Sequence, residues 1–472
     1  MKRLACALTI GLASMTGYAA HASVFDESDI ELVRELRDDA KQGTGAFAIV
    51  ADLTTRVGHR MPGSDGDARG VEWATNKLES MGFDSVHHEP VTFPTWTRGH
   101  ESATIVSHGN QSLVLTTLGY SPATPAQGIE AEIAMFDDLA ALEDADPSDV
   151  AGKIVFIRNR MERSKDGSTY GPAVGARSMG PVVAAQKGAA AIVIRSISTS
   201  DERFAHTGML SYNWDGDNHL VPAAALSNPD ADQLERIVNL GDTVTMNLNL
   251  QPEYGDDYTS QNVIADIRGS EKPDEYVIIS AHLDSWDLSP GGLDDAAGVG
   301  IVIETAKRIL ELEERPKRTI RVILFAAEEI GLLGARAYAE RHQDHVQNHF
   351  VGSESDFGAG QVYQFNARVQ DDAWPVIEAI AAELSPLGIE LGERDARGGP
   401  DMLPMRNLGM SVVDLAQDGT YYFDYHHTKN DTLDKIDPED LDQNVAAWLV
   451  FTWLAAQSPV DFGSGAQLVP ES

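Results

Sequence analysis

The spacing of apolar residues changes character along the chain. In residues 26–40, Ile30, Leu32, Val33 and Leu36 form one stripe, and 71–81 repeat the helical spacing until Gly82 closes it. Residues 86–115 turn to short β runs such as Val91-Thr92-Phe93. From about 108 to 257 the pattern mixes strand-like runs (131–136, 153–157, 191–194, 243–250) with small-residue or amphipathic helices (182–190, 230–239). From Asn262 onward it becomes regular. Strand-like runs at 263–267, 276–280, 319–326, 350–353 and 412–415 alternate with helix-like runs at 295–312, 330–341, 373–384 and 441–456. Apolar strands between amphipathic helices predict an α/β architecture, a doubly wound mixed sheet flanked by helices. The helical start has no strand set of its own and is assigned to this unit, so the middle region reads as an insertion. The expected division is a leader at 1–22, the first part of the α/β unit at 23–107, an inserted β/α domain at 108–257, the rest of the α/β unit at 258–462, and a flexible tail at 463–472.

The leader carries a signal-peptide pattern. Met1-Lys2-Arg3 is basic, residues 4–20 are apolar or small, and Ala20-His21-Ala22 offers an A-x-A cleavage site. The apolar run is short for a span of about 20 residues. It is read as cleaved near Ala22–Ser23, giving a secreted or periplasmic product without a stable membrane anchor. Cys6, the only cysteine, lies inside it.

Charge removes several partners. Lys and Arg total 36 against 73 Asp and Glu, a net charge of −37 that cleavage of Lys2 and Arg3 takes to −39. Such a surface does not bind a phosphate backbone and does not adhere to anionic lipid. Hydrophobic content of 42% excludes an acidic disordered chain. With only 11 of the basic residues being Lys, the exterior reads as acid-rich and salt-tolerant.

Ligand sites in open α/β sheets form beyond the carboxyl ends of the strands, and this chain sets acids and imidazoles there. The run from Tyr276 ends in His282-Leu283-Asp284, and Asp294-Asp295 open the next helix. Glu328-Glu329 follow the 319–326 run, Asp356 follows the 350–353 run, and His426-His427 lie beyond the 412–415 run. Each piece alone is weak, because paired acids are commonly a solvated helix start. Together they crowd carboxylates at one sheet edge, which is unfavourable unless a cation neutralises them. Imidazole nitrogen and carboxylate oxygen, without cysteine, suit Zn²⁺, with Mn²⁺ or Co²⁺ as alternatives.

These segments resemble the co-catalytic di-zinc exopeptidases, a family of aminopeptidases and glutamate carboxypeptidases. The resemblance rests on His282-Leu-Asp-Ser-Trp-Asp287, Gly-Gly-Leu-Asp-Asp-Ala-Ala-Gly298, Ala-Ala-Glu-Glu-Ile-Gly331 and His-His-Thr-Lys-Asn-Asp-Thr432. It extends to Val-Gly-His-Arg-Met-Pro-Gly-Ser64 and His206-Thr-Gly, covering nearly the whole mature chain, and the inserted region resembles a protease-associated domain. It implies two zinc ions, with His282 and Asp356 on one, Glu329 and His427 on the other, and Asp294 bridging. It also implies a cis peptide at Asp294–Asp295, Glu328 as general base and then acid, and Asp284 accepting from the second ring nitrogen of His282. Some relatives place Tyr just before the ligand His; His426 stands here instead and is expected to donate to the oxyanion. The segment Arg397-Gly-Gly-Pro-Asp401 either lines the substrate pocket through Asp401 or forms a structural turn, and Tyr422 is either a pocket wall or core. The implied substrate is a short peptide, above all an unsubstituted dipeptide, and the implied assembly a homodimer.

Overall fold

The computed structural model describes residues 24–212 and 219–465; the leader, and the tail beyond 465, lie outside the described residues. Two eight-stranded sheets organise the chain. The central sheet runs in the order Ser85–Thr97, Glu253–Ile267, Arg318–Phe325, Lys272–His282, His349–Glu354, Val412–Gln417, Val362–Arg368, Glu390–Leu391. Its middle strands, from Arg318–Phe325 to Val412–Gln417, are parallel, and antiparallel strands close both sides. Every residue of Arg318–Phe325 and of His349–Glu354 is buried, as expected for strands covered on both faces.

Helices supply that cover. Ala297–Leu310 packs between the sheet and Ala46–Arg56, and Pro438–Gln457 is buried from Leu441 along nearly all its length. The N-terminal helix Glu27–Ala40 lies on Pro438–Gln457, where the Asp29 carboxylate accepts from the indole of Trp453 (3.1 Å) and from Gln457 (2.8 Å). Helix Asp65–Met81 starts at Ser64, whose hydroxyl accepts from the Gly66 and Asp67 amides, and stops at Gly82 in left-handed backbone (φ 84°).

Several boundaries differ from the sequence expectation. The second sheet takes its strands from Glu101–Ile105 through Thr245–Leu250, so it begins before residue 108 and ends before 257. The chain between 253 and 262 belongs instead to a long strand, Glu253–Ile267, paired with Ser85–Thr97; its exposed polar half hides the apolar pattern. Val362–Arg368, with mixed burial, is a strand that the pattern missed. The expected flexible tail is pinned at its start: the Gly465 amide donates to Gly409 (2.9 Å), and the Ser464 hydroxyl to the Phe350 carbonyl (3.1 Å). Among the described residues no helix is long and apolar enough to cross a membrane.

Candidate metal centre

The carboxyl ends of the parallel strands converge on one cluster. His282 is the last residue of its strand. Its Nε2 lies 3.1 Å from Asp294 Oδ1 and 3.5 Å from Asp356 Oδ1. On the other side of Asp294, His427 Nε2 lies 3.2 Å from Oδ2 and 2.9 Å from Glu329 Oε2. Asp294 therefore stands between two imidazoles, each with a further carboxylate. All of these side chains are buried except Asp356, which is partly so.

Asp294 and its neighbour Asp295 are supported differently. Gly292–Ala296 is an irregular turn ahead of the helix, with a cis peptide at Asp294–Asp295. The Asp295 carboxylate accepts from the His282 amide (3.2 Å) and the Gly298 amide (3.1 Å) and still lies close to His282 and Asp356. Asp431 accepts from the Leu293 amide (2.6 Å) and the Asp294 amide (3.1 Å) and so clamps the turn. Beneath it Arg60, completely buried, donates to the carbonyls of Leu283 (2.5 Å), Gly58 (3.1 Å) and Gly291 (3.3 Å), and to that of Pro290. Its positive charge faces Asp284, Asp431, Asp295 and Asp294. Sequence reasoning noted the Arg60 and Asp431 motifs without assigning these roles, because both act through backbone groups of distant segments.

The Asp284 role is corrected. Its carboxylate accepts from the amides of Glu328 (3.1 Å) and Glu329 (3.2 Å), fixing the turn that carries both. His282 Nδ1 is met by the Asp284 backbone carbonyl at 3.1 Å, while the carboxylate oxygen stands at 3.7 Å. The amides claim the side chain because they are adjacent and otherwise buried without a partner.

A cavity of about 990 Å³ opens over the cluster, lined among others by Glu328, Asp356, Tyr422, His426 and, from the inserted unit, Arg177. Tyr422 is thus both buried and a cavity wall, its ring 4.8 Å from that of His426. His426 stacks on His427 (ring centres 3.6 Å apart) and places Nε2 3.5 Å from Asp294 Oδ2. Asp401 does not line the cavity. The left-handed glycines Gly398 and Gly399 wrap the chain so closely round Glu354 that a Cβ on Gly399 would stand 2.4 Å from that of Glu354. The turn buries Asp401 behind Glu354, which accepts from its amide at 2.6 Å; Gly399 and Pro400 face the cavity instead.

The electrostatics of the metal-free cluster are those of a cation site. Burial, reinforced by Asp294, pushes the Glu329 carboxyl up to about 7. Burial raises Glu328 well above the usual carboxylate range, with Asp356 and Glu329 adding to it. Burial also opposes ionisation of Asp294, but His282 and His427 outweigh it and hold this group well below its usual value. Glu329 Oε1 is buried without a hydrogen-bond partner. Such an orphaned oxygen among convergent imidazole and carboxylate donors fits a divalent cation.

Comparison with known proteins agrees with this geometry. Residues 262–452 match the model of peptidase family M28. Carboxypeptidase Q of Bos taurus is 32% identical over 411 residues, covering 87% of this chain and 85% of the bovine protein. The chain belongs to peptidase family M28. It is an exopeptidase of that family, and human carboxypeptidase Q is also 32% identical, over 87% of this chain and 85% of its own. The crystal structure of a peptidase M28 precursor from Shewanella amazonensis superposes with a TM-score of 0.90 at 48% identity, covering 92% of this chain and 98% of that one. A zinc aminopeptidase from Bacillus subtilis shares the fold, with a TM-score of 0.61 at 20% identity over 87% of this chain and 93% of its own.

Proposed function

We propose that this M28 enzyme is an exported dipeptidase working with two zinc ions. His282 and Asp356 would hold one ion, Glu329 and His427 the other, and Asp294 would bridge them. Support comes from the position of Asp294 between two imidazoles. Bound zinc would supply a Lewis acid for the peptide carbonyl and lower the pKa of water.

The chain's own residues do the rest. Glu328 lines the cavity beside the cluster, and its readiness to hold a proton suits it to take one from the attacking water and return it to the leaving amine. His426 Nε2 faces the cluster edge and is the donor proposed for the developing oxyanion. The inserted unit is read as a protease-associated domain, and export rests on the leader pattern.

The observation that carries the substrate reading is Arg177. Among the buried arginines, Arg37, Arg195, Arg318 and Arg321 each meet a carboxylate within 3.0 Å, and Arg60 spends its guanidinium on backbone carbonyls. Arg177 is 7% exposed, lines the same cavity as Glu328 and, among the described residues, has no carboxylate within ion-pair distance. Among the described residues it donates to His206 Nε2 (3.0 Å) and the Thr207 carbonyl (3.4 Å), and its buried Nε has no partner there. A buried guanidinium without an anion is unusual, and the free carboxylate of a dipeptide would complete it.

The test is a dipeptide panel with free, N-blocked and C-amidated ends, run on wild type and Arg177→Met. Charge-assisted hydrogen bonds are worth about 1.5–3 kcal/mol, so the variant should lose about 10–150-fold in kcat/KM on free dipeptides and little on amides. Equal losses on both would refute the carboxylate role.

A further inference from the structure

The inserted unit also reaches the metal centre from behind, through the loop between its strands Ala191–Arg195 and Ala223–Leu226. The Thr207 amide donates to the His427 carbonyl at 2.9 Å, and His427 Nδ1 stands 3.3 Å from the Thr207 carbonyl. A carbonyl can only accept, so that ring nitrogen carries the proton and the lone pair of Nε2 points at Glu329 and Asp294.

His206 acts one residue earlier on the same segment. Arg177 Nη1 lies 3.0 Å from His206 Nε2, and a guanidinium can only donate. Nε2 is therefore the acceptor, and Nδ1 bears the proton that it gives to the His426 carbonyl at 3.0 Å. The loop bearing these groups is itself tied down. The Thr207 hydroxyl donates to the Thr117 carbonyl (3.0 Å), Arg98 donates to that hydroxyl (3.2 Å), the Gly208 carbonyl accepts from the Gly119 amide (2.9 Å), and the Ser196 hydroxyl accepts from the His206 amide (2.9 Å).

His427 needs such a brace. Its backbone is left-handed, with φ 58°, a conformation unfavourable for any residue with a Cβ. The segment Tyr422–Tyr425 just before it is a single short helical turn. The brace comes from Ser198 and Thr199, which hold the Phe423 carbonyl at 2.7 and 3.1 Å, and from the His206–Thr207 segment. Every one of these donors belongs to the inserted unit.

We propose that the inserted unit is a structural part of the metal centre, with His206 a positioning residue that holds the His426–His427 backbone so that His427 presents Nε2 to the metal. This rests on the zinc-site reading above. Zinc affinity of the full chain, measured by chelator competition and apart from activity, tests it. Supporting groups behind metal ligands are worth about 10–100-fold in affinity. His206→Leu should weaken one zinc by that much, leave the other unchanged and keep the far-UV spectrum of wild type. His206→Asn, whose amide N–H can still reach the His426 carbonyl, should recover most of the loss. If His206→Leu does not fold, Ser196→Ala, which releases the His206 amide, should weaken the same zinc by several-fold. Two zincs bound as tightly by these variants as by wild type would overturn the inference and leave the peptidase reading intact. A wild-type chain that binds no zinc would overturn both.

Discussion

Two buried polar clusters of the central sheet are built on opposite principles. In one, midway along the strand Arg318–Phe325, Arg321 pairs with Asp266 (2.8 Å) and donates to Tyr338 (3.2 Å), which meets His349 Nε2 (2.9 Å). Nearby Glu89 accepts from Arg341 (2.6 Å) and pairs with His342 (2.8 Å). Acids and bases balance there, and among the described residues none of these side chains has a buried atom without a partner. In the other, at the carboxyl ends of the parallel strands, Asp294, Glu328, Glu329, Glu354, Asp356 and Asp401 gather with imidazoles and the remote Arg60, and Glu329 Oε1 and both Asp401 oxygens stay unpartnered. Burial pushes Glu354 up to about 8, with Asp356 adding to it. The balanced cluster supports the fold; the unbalanced one has a place for a cation. Polarity and burial alone do not separate them, whereas the charge balance and the unpartnered atoms do.

The comparison can be broken most decisively at Glu328. General acid–base catalysis contributes about 10²–10⁴-fold, so Glu328→Gln should lose that much kcat while keeping its zinc content and melting temperature. A variant with near wild-type turnover would remove Glu328 from the chemistry. At the other cluster the outcome should invert. Arg321→Met strands a mostly buried Asp266, which costs about 3 kcal/mol of stability, visible as a lower urea midpoint, with zinc binding unchanged in the variant that remains folded. Loss of zinc without loss of stability would mean that the clusters are not separable.

The smallest effect is a pH dependence. Glu329 in the metal-free fold releases its proton near 7, above the ordinary carboxylate range near 4 that the unfolded chain follows. Between those values the fold holds the extra proton, so raising pH through the window destabilises the metal-free protein through this group. Zinc needs the carboxylate ionised, so the rise in melting temperature on adding zinc should grow from pH 5 to 7.5. A gain independent of pH would place Glu329 outside the metal site.

Much of the centre was legible because its residues stand at strand ends, where apolar runs stop and the fold class itself places a ligand site. His282, Glu328 and Glu329 were found on that ground, while the choice of Asp294 over Asp295 came from resemblance. In the structure the Asp295 carboxylate accepts from two amides, while Asp294 stands between His282 and His427. Asp401 was left open between pocket wall and structural turn because a pair of glycines decides which way its chain faces, and backbone sign is not written in hydrophobic pattern. Arg60, Asp431, Arg177 and His206 escaped notice as working parts. Each acts across a sequence gap, and Arg60, Asp431 and His206 do so through backbone groups that every residue possesses, His206 on His426 over 220 residues.

By itself the sequence determined the α/β class, the acid-rich character and the identity of the groups able to take a metal, because periodicity and residue chemistry are local properties. Only the tertiary structure decided that Asp294 stands between His282 and His427, that Arg177 lines the cavity, and that the inserted unit braces the His426–His427 backbone. Those depend on which backbone amides and carbonyls come within about 3 Å of one another, and that is set by the packing of distant segments.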